Sequence, residues 1–396
     1  MVGRTLTRIA VVGGSIGGLT TACLLRDSGF DVTVFERASF QLEERGAGIG
    51  LLEATSRYLV ECANINIDTI SISTPYIRYL DRDNKVIHQQ EHRYRFSSWN
   101  TVYKQLLSIY GHERYQLDHE LVDWKIDKGG VLIKFSNDRE FWADLLICAD
   151  GVTSKNRARL LPETNTEYAG YVAWRGMVPE AALSPVLRAK LSEAITYHVY
   201  ANSHILVYPI PSIDGAIEVG KRLINFVWYR NYLQGGDLEN LMTDEDGNKW
   251  ISSIPPGKLS KHHQEEARAT AAARLPSDLA SVVLAADDLF IQVIYDTEVE
   301  RMAFNRVCLL GDAAFVARPH AAAGTAKAAE DAWQLVEFLK NYDDISEALS
   351  KWEDQQITLG KSLVTRTRHI GQSSQFNNNW TPGDPRLLFG LHAAGD

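Results

Sequence analysis

Apolar residues follow three rhythms along this chain. In the first, residues 8–13 are an Arg followed by an unbroken apolar run, 16–29 repeat apolar positions at helical spacing and close on Gly29, and 31–36 are rich in β-branched residues. Unbroken runs suit strands covered on both faces, so this stretch predicts strand, helix and strand, a βαβ unit of about 30 residues. "FWADLLICADG" (141–151) and "RVCLLGDAA" (306–314) repeat the buried-strand pattern and stop at Asp-Gly and Gly-Asp. In the second rhythm, "YAGYVAWRGMVP" (168–179), "AITYHVYANSHILVYPIP" (194–211) and "RLINFVWYRN" (222–231) alternate apolar and polar residues, as antiparallel strands do. The third is polar: 235–256 predicts a solvated acidic loop, "KHHQEEA" (261–267) a surface helix, and 373–390 an extended tail on the surface. A β-rich unit is therefore expected inside an α/β one.

Composition narrows the class. With 396 residues, 45% hydrophobic and 23% charged, the chain can bury one large core or two moderate ones. A net charge of -9 and a pI near 5.7 disfavour nucleic acid and anionic membranes as partners and leave small molecules. Four widely spaced cysteines suit a reducing compartment. No run reaches the roughly 20 apolar residues of a membrane span. Arg4 and Arg8 precede the first apolar run, but its glycines and strand-then-helix pattern are not those of a leader. A cytoplasmic protein is expected.

The turn of the βαβ unit, "VVGGSIGG", puts Gly13, Ser15 and Gly18 in the slots of a G-x-G-x-x-G dinucleotide turn. Gly13 allows the bend, the second slot must be small where backbone approaches a pyrophosphate, and Gly18 lets the helix lie close to the strand. Serine is the smallest departure from glycine. Glu36, at the end of the second strand, has the spacing of an acid that holds the adenosine ribose, and Arg37 beside it suits adenine or a phosphate. Alone, the motif also fits a glycine-rich turn in an unrelated α/β protein. His262, His263, Glu265 and Glu266 are adjacent residues of a solvated helix rather than converging metal ligands, so no metal is expected. No G-x-S-x-G elbow supports hydrolase chemistry.

Two distant motifs change the weighing. "DLLICADGVTSKNRARLL" (144–161), with Asp150, Gly151, Ser154 and Arg157, resembles the Asp-Gly motif of the single-component FAD-dependent aromatic hydroxylases (class A flavoprotein monooxygenases). "RVCLLGDAAFVARPHAAAGTAKAAEDA" (306–332), with Gly311, Asp312, Pro319, Gly324 and Asp331, resembles their Gly-Asp motif. The glycine-rich "RGAGIGLL" (45–52) is similar to their flavin-covering segment. Phe315, Ala322, Ala323 and Ala326 depart from residues common in the family, and an arginine usual near Trp99 to Leu106 is absent.

The resemblance implies an α/β fold, that of p-hydroxybenzoate hydroxylase: a Rossmann-like FAD-binding domain with a parallel sheet, carrying an inserted antiparallel β-sheet substrate domain. It assigns 1–75, 98–165 and 290–345 to the FAD domain, 76–97 and 166–289 to the substrate domain, and 346–396 to a C-terminal helix and extended tail. It places FAD against Gly13, Ser15, Ile16, Gly18, Glu36, Arg37, Gly48, Leu121, Asp150, Gly311, Asp312, Gly324, Thr325 and Ala326. NADH or NADPH would bind transiently and reduce the flavin. Oxygen would then add to give a C4a-hydroperoxide, which hydroxylates a small hydroxylated aromatic or N-heteroaromatic ring of the dihydroxypyridine type. The alternatives are decarboxylative hydroxylation of a hydroxylated aromatic acid, or a flavin oxidase or dehydrogenase that transfers no oxygen. Partners would be that substrate and O2, in a monomer or homodimer.

The residues have their own logic at this site. Asp312, at a strand end, suits ribityl hydroxyls, and a helix starting near Gly324 offers N–H groups to negative charge on reduced flavin. His320 is the first choice for a substrate-activating base because its pKa is naturally near neutral, beside the backbone of Pro319. A structural hydrogen bond is its alternative. Tyr208, Trp228 and Arg175 are pocket-wall candidates, with ordinary sheet packing as the reading favoured for each. Asp150 and Arg157 also suit a strand-end cap and a helix-end ion pair.

Overall fold

A computed structural model describes residues 7–42 and 47–395. Arg4 and the first two residues of the 45–52 segment lie outside the described residues.

The fold is α/β. Six strands form the first sheet in the order Ala303–Phe304, Val307–Leu309, Leu145–Cys148, Arg8–Val12, Asp31–Phe35 and Tyr115–Gln116. All pair in parallel except the first, which makes a hairpin with the second. The βαβ unit forms because its two apolar runs lie side by side, Ile9 opposite Val32, with helix Ile16–Asp27 crossing between them. Helices Trp99–Tyr110 and Gly324–Asn341 and a small three-stranded sheet (Leu121–Asp127, Gly130–Phe135, Glu140–Ala143) share its core. The apolar run at 141–151, expected as one strand, is two: Asp144 turns out of the run to accept the Arg8 N–H (2.8 Å), giving Glu140–Ala143 to one sheet and Leu145–Cys148 to the other. Cys23, Cys148 and Cys308 are buried in this core, and burial raises all three thiol pKa values.

The alternating segments form a nine-stranded, mostly antiparallel sheet. Its middle strands are Glu167–Pro179, Leu223–Asn231, Ser203–Ile210 and Ala194–Tyr200. Alternation sends Val172, Trp174, Phe226 and Trp228 into one core under helices Lys261–Arg274 and Ser277–Ala285, and Ala173, Leu206, Tyr208, Val227 and Tyr229 to the opposite face. Trp228, read as a pocket wall, therefore points away from the pocket, its indole N–H donating to Ser203 Oγ (3.1 Å). Gly48–Gly50 and Phe290–Asp296, which the expected boundaries put with the first unit, hydrogen-bond into this second sheet.

Two polar stretches differ from expectation. Asp244 is buried rather than solvated, accepting hydrogen bonds from the Asn248 N–H (2.8 Å), the Asp246 N–H (3.0 Å) and Trp250 Nε1 (2.8 Å), because a carboxylate able to gather three donors can leave water. The tail beyond the 31-residue helix Ile345–Gln375 does not simply lie on the surface: Leu391 is buried beside Ala321, Ala323 and Leu363. No described helix is long and apolar enough to cross a membrane, and no metal-ligating cluster occurs among the described residues.

Candidate active site

Between the two sheets lies a cavity of about 370 Å³. Three glycine-rich turns and the inner face of the second sheet build it. The first is the βα turn. Gly13 sits at φ +106°, its N–H donating to the Phe35 carbonyl (2.9 Å), and Cβ atoms on Gly13 and Gly18 would run into the Ala149 and Gly13 carbonyl oxygens. Ser15 is the N-cap of helix Ile16–Asp27 but makes no capping bond to that helix; it faces the cavity beside Ile16, Gly17 and Gly18. Glu36 is buried behind the turn, its two oxygens accepting the Gly14 N–H (2.8 Å) and the Ala38 N–H (2.9 Å). Arg37 is exposed, and Leu121 is buried in the core. Neither touches the cavity, nor do Gly13, Glu36, Asp150, Ala326 and His320.

The second turn follows strand Val307–Leu309. Gly311, at φ +62°, donates its N–H to buried Asp331 (3.0 Å), which also pairs with buried Lys327. Helix Gly324–Asn341 then begins at the cavity with no side-chain cap, with Ala322, Ala323, Gly324 and Thr325 on the wall. Two uncapped helix N-termini thus open onto one cavity, lined on that side by backbone rather than cations, a cradle for an anionic, extended ligand. The residues fit FAD: one terminus for its phosphates, the other for the ring.

The Asp-Gly motif braces the turns. Asp150 accepts from Ser154 Oγ (2.6 Å) and Asn156 Nδ2 (2.9 Å), capping the end of its strand. Arg157, for which a helix-end ion pair was the alternative, donates to the carbonyls of Val152 (2.6 Å), Asp312 (3.2 Å) and Ala313 (3.1 Å), tying the Asp-Gly and Gly-Asp turns together.

Asp312 lies half-buried on the cavity wall, and burial pushes its carboxyl from the ordinary 3.8 up to about 6, with Arg157 opposing and Asp331 adding to the rise. Between those values the folded protein keeps a proton that the unfolded chain has released. This carboxyl therefore favours folding fully below about pH 4, and the contribution is lost as pH rises through 6. Flavin-free Asp312→Asn is expected to be about 1–2 kcal/mol more stable than the parent near pH 7.5, the gap closing below about pH 4.5. Urea unfolding across that range reads it, and a gap equal at both ends would refute it.

The third turn is strand Gly48–Gly50, paired with Phe96–Ser98 at the edge of the second sheet. Gly48 is gripped through both of its flanking peptides: its carbonyl accepts from Arg175 Nη2 (2.7 Å) and the Tyr208 hydroxyl (3.0 Å), and its N–H donates to Asn225 Oδ1 (2.9 Å). A Cβ on Gly48 would stand 2.8 Å from both Tyr208 and Asn225, so only glycine fits. Arg175 Nη1 also donates to Gln292 Oε1 (3.1 Å). Arg175, Tyr208 and Gln292 line the cavity with Phe96, Trp99, Ala173, Leu206, Val227 and Tyr229, a largely apolar chamber with one cation among its described lining residues.

Pro319 is on the wall, but His320 beside it turns away. Its Nε2 shares a 2.6 Å hydrogen bond with the Tyr171 hydroxyl, in a buried group with Arg318, Asp296 and His204. Burial, then His204 and Arg318, hold the imidazole well below its usual pKa, so it stays neutral and off the cavity wall. The structural hydrogen bond weighed for it is the one it makes. Sequence reasoning missed Gln292, Asn225 and Phe389. Gln292 had a signal, as a polar residue on the inner side of an alternating strand, and Phe389 had one in the apolar run of Leu387, Leu388, Phe389 and Leu391.

Matches to known proteins agree with this geometry. An NAD(P)-binding Rossmann-like domain family matches residues 11–40, and an FAD binding domain-like family matches 168–296. The chain is 35% identical to 2,6-dihydroxypyridine 3-monooxygenase of Paenarthrobacter nicotinovorans over 98% of this chain and 96% of that one. It is 27% identical to 3-amino-4-hydroxybenzoate 2-monooxygenase of Streptomyces cremeus, over 94% and 88% of the two chains. Its fold superposes on the solved 2,6-dihydroxypyridine-3-hydroxylase of Arthrobacter nicotinovorans with a TM-score of 0.93 at 35% identity, covering 98% of both.

Proposed function

The chain belongs to the FAD-dependent aromatic-ring monooxygenases, and from that premise we propose that it uses NAD(P)H and O2 to hydroxylate a small hydroxylated N-heteroaromatic ring of the dihydroxypyridine class. The observation that carries the substrate class is the Arg175–Gln292 pair at the apolar end of the cavity. A hydroxypyridine presents a ring nitrogen beside an oxygen, a donor and an acceptor on one edge. A guanidinium and an amide side by side meet that edge with matching groups, whereas a plain phenol would leave one of them unmatched.

Bound FAD supplies hydride acceptance and oxygen activation; the protein places it and its substrate. The helix starting at Ile16 and the Ser15 turn hold the phosphates, with Glu36 and Asp150 bracing the strand ends. Asp312 takes hydroxyl donors from the ribityl chain, and the helix starting at Gly324 faces the charge of the reduced ring. Phe96, Leu206 and Val227 exclude water. Arg175 holds the substrate's oxygen as an anion, which makes the ring electron-rich without a dedicated base. Tyr208 and Tyr229 keep their protons, because burial raises both phenols. Buried, unbridged Cys23, Cys148 and Cys308 suit a cytoplasmic enzyme.

The same cation would hold an aromatic carboxylate, so decarboxylative hydroxylation of a hydroxylated aromatic acid is the second reading. A panel of hydroxypyridines and hydroxybenzoates, scored for stimulated NADH and NADPH oxidation against peroxide release, separates the two. Hydroxypyridines are expected to stimulate oxidation with little peroxide. Failure of 18O2 label to enter the product would leave a flavin oxidase or dehydrogenase and sink both readings.

A further inference from the structure

We propose that the C-terminal segment 385–391 is the wall of the substrate end of this cavity, and that Phe389 is the face against which the substrate ring packs. The identity of that ring rests on the hydroxylase reading; the wall does not.

Phe389 lines the cavity although it lies in the tail, far in sequence from every other lining residue. Its ring stacks on Tyr94 (centroids 4.6 Å apart, planes at 28°) and stands edge-on to Phe96 (6.4 Å, 86°), which stacks on Tyr208 (4.2 Å). The tail thus extends an aromatic row that the second sheet begins. It also stands where the two flavin-side turns meet: a Cβ on Gly50 would lie 2.6 Å from the Ala322 Cβ and 3.8 Å from Phe389. Gly50 and Ala322 thus close the cavity at this point, and a flat ring seated inside it beside that contact would meet Phe389.

The attachment of the segment is local. The Phe389 N–H donates to the Tyr94 hydroxyl (2.8 Å), the Gly390 N–H to the Ala321 carbonyl (3.1 Å), and Arg366 grips the Gly390 carbonyl. Leu391 is the apolar anchor, buried at 2% exposure, whereas Phe389 keeps part of its ring on the cavity. Before them, Pro385–Leu387 is a short 3-10 turn with Pro385 and Arg386 exposed. Leu388 and Phe389 also pack against the inner core of the second sheet, and Arg366 donates to the Leu388 carbonyl (3.5 Å), so the segment is a built part of the wall. Ring contact is assigned to Phe389 and anchorage to Leu391, a division that a merely structural tail would not need.

The test uses the full-length, FAD-loaded protein with Phe389→Ala and, in case that variant folds poorly, Tyr94→Phe, which keeps the stacking ring and removes one tether. Both are expected to bind FAD within about threefold of the parent. Phe389→Ala is expected to weaken the perturbation of the flavin spectrum by 2,6-dihydroxypyridine about tenfold or more. Iodide quenching of flavin fluorescence should become about threefold steeper in Phe389→Ala and steeper by a smaller factor in Tyr94→Phe. Quenching and ligand affinity unchanged in both variants would overturn the proposal. If no aromatic probe perturbs the parent's flavin, the substrate reading fails, and iodide quenching alone then decides the wall.

Discussion

Arg175→Met is expected to give a flavin-loaded protein whose kcat/KM for the aromatic substrate falls by about a hundredfold. The methionine keeps most of the stem and removes the one cation among the described cavity-lining residues. Losing one partner of a buried, charge-assisted contact costs about 2–5 kcal/mol, and each 1.4 kcal/mol is a factor of ten in rate. The flavin cradle should survive, because the Gly48 carbonyl keeps Tyr208 and the Gly48 N–H keeps Asn225. Arg175→Lys should restore little, since one ammonium cannot reach Gly48 and Gln292 in the forked geometry that the guanidinium holds. Gln292→Met, which removes a neutral partner, should cost only about five- to tenfold. The pH profile separates an electrostatic role from a merely structural one. If Arg175 holds the substrate as an anion, the variant's activity should climb with pH as the substrate ionises unaided, while the parent stays flat over the same range. A variant within threefold of the parent, with a parallel pH profile, would exclude the assignment.

Local physics made one part of the molecule legible in the sequence and hid another. The βαβ unit could be read because strand, helix and turn are encoded within residues 8–36, where apolar rhythm and glycine position determine the answer. The antiparallel strands could be read for the same reason, and so could the two turns carrying Asp150 and Asp312. What stayed hidden depends on partners far along the chain. Asp144 divides an apolar run because Arg8 offers it an N–H from another strand. Asp244 leaves water because Trp250 and Asn248 turn back toward it. His320 follows the near-neutral pKa of its type in sequence, but in space it is buried with Tyr171, His204 and Arg318, which leaves it neutral and off the cavity wall. Phe389 follows a polar, proline-containing stretch that reads as surface, and Tyr94, Phe96 and Ala321 draw it inward.

The largest structural effect is expected from Gly18→Ala, set against the mild Ser15→Gly in the same turn. Both residues sit where the motif asks for small side chains, yet their surroundings differ. A Cβ on Gly18 would be forced into the Gly13 carbonyl oxygen, and Gly13 cannot yield: its N–H is committed to the Phe35 carbonyl, and its own Cβ position is blocked by the Ala149 carbonyl. Relief would mean lifting helix Ile16–Asp27 from the sheet or parting Arg8–Val12 from its parallel neighbours. Overpacking costs about 1–3 kcal/mol and more where nothing nearby can move, a large part of the roughly 5–15 kcal/mol that holds a domain together. Gly18→Ala should therefore melt at least about 5 °C lower and lose FAD during purification. Ser15 instead carries a hydroxyl that makes no capping bond and a side chain that faces open cavity. Glycine is tolerated at a helix N-cap at a cost of a few tenths of a kcal/mol. Ser15→Gly should keep FAD within about threefold, the phosphates being held by backbone N–H groups of the first helical turn. A tenfold loss from Ser15→Gly would show the hydroxyl to be a phosphate ligand, worth the 1.5–3 kcal/mol typical of a charged hydrogen bond. Gly18→Ala that melts with the parent and stays yellow would show that the turn relaxes where the surrounding hydrogen bonds say it cannot.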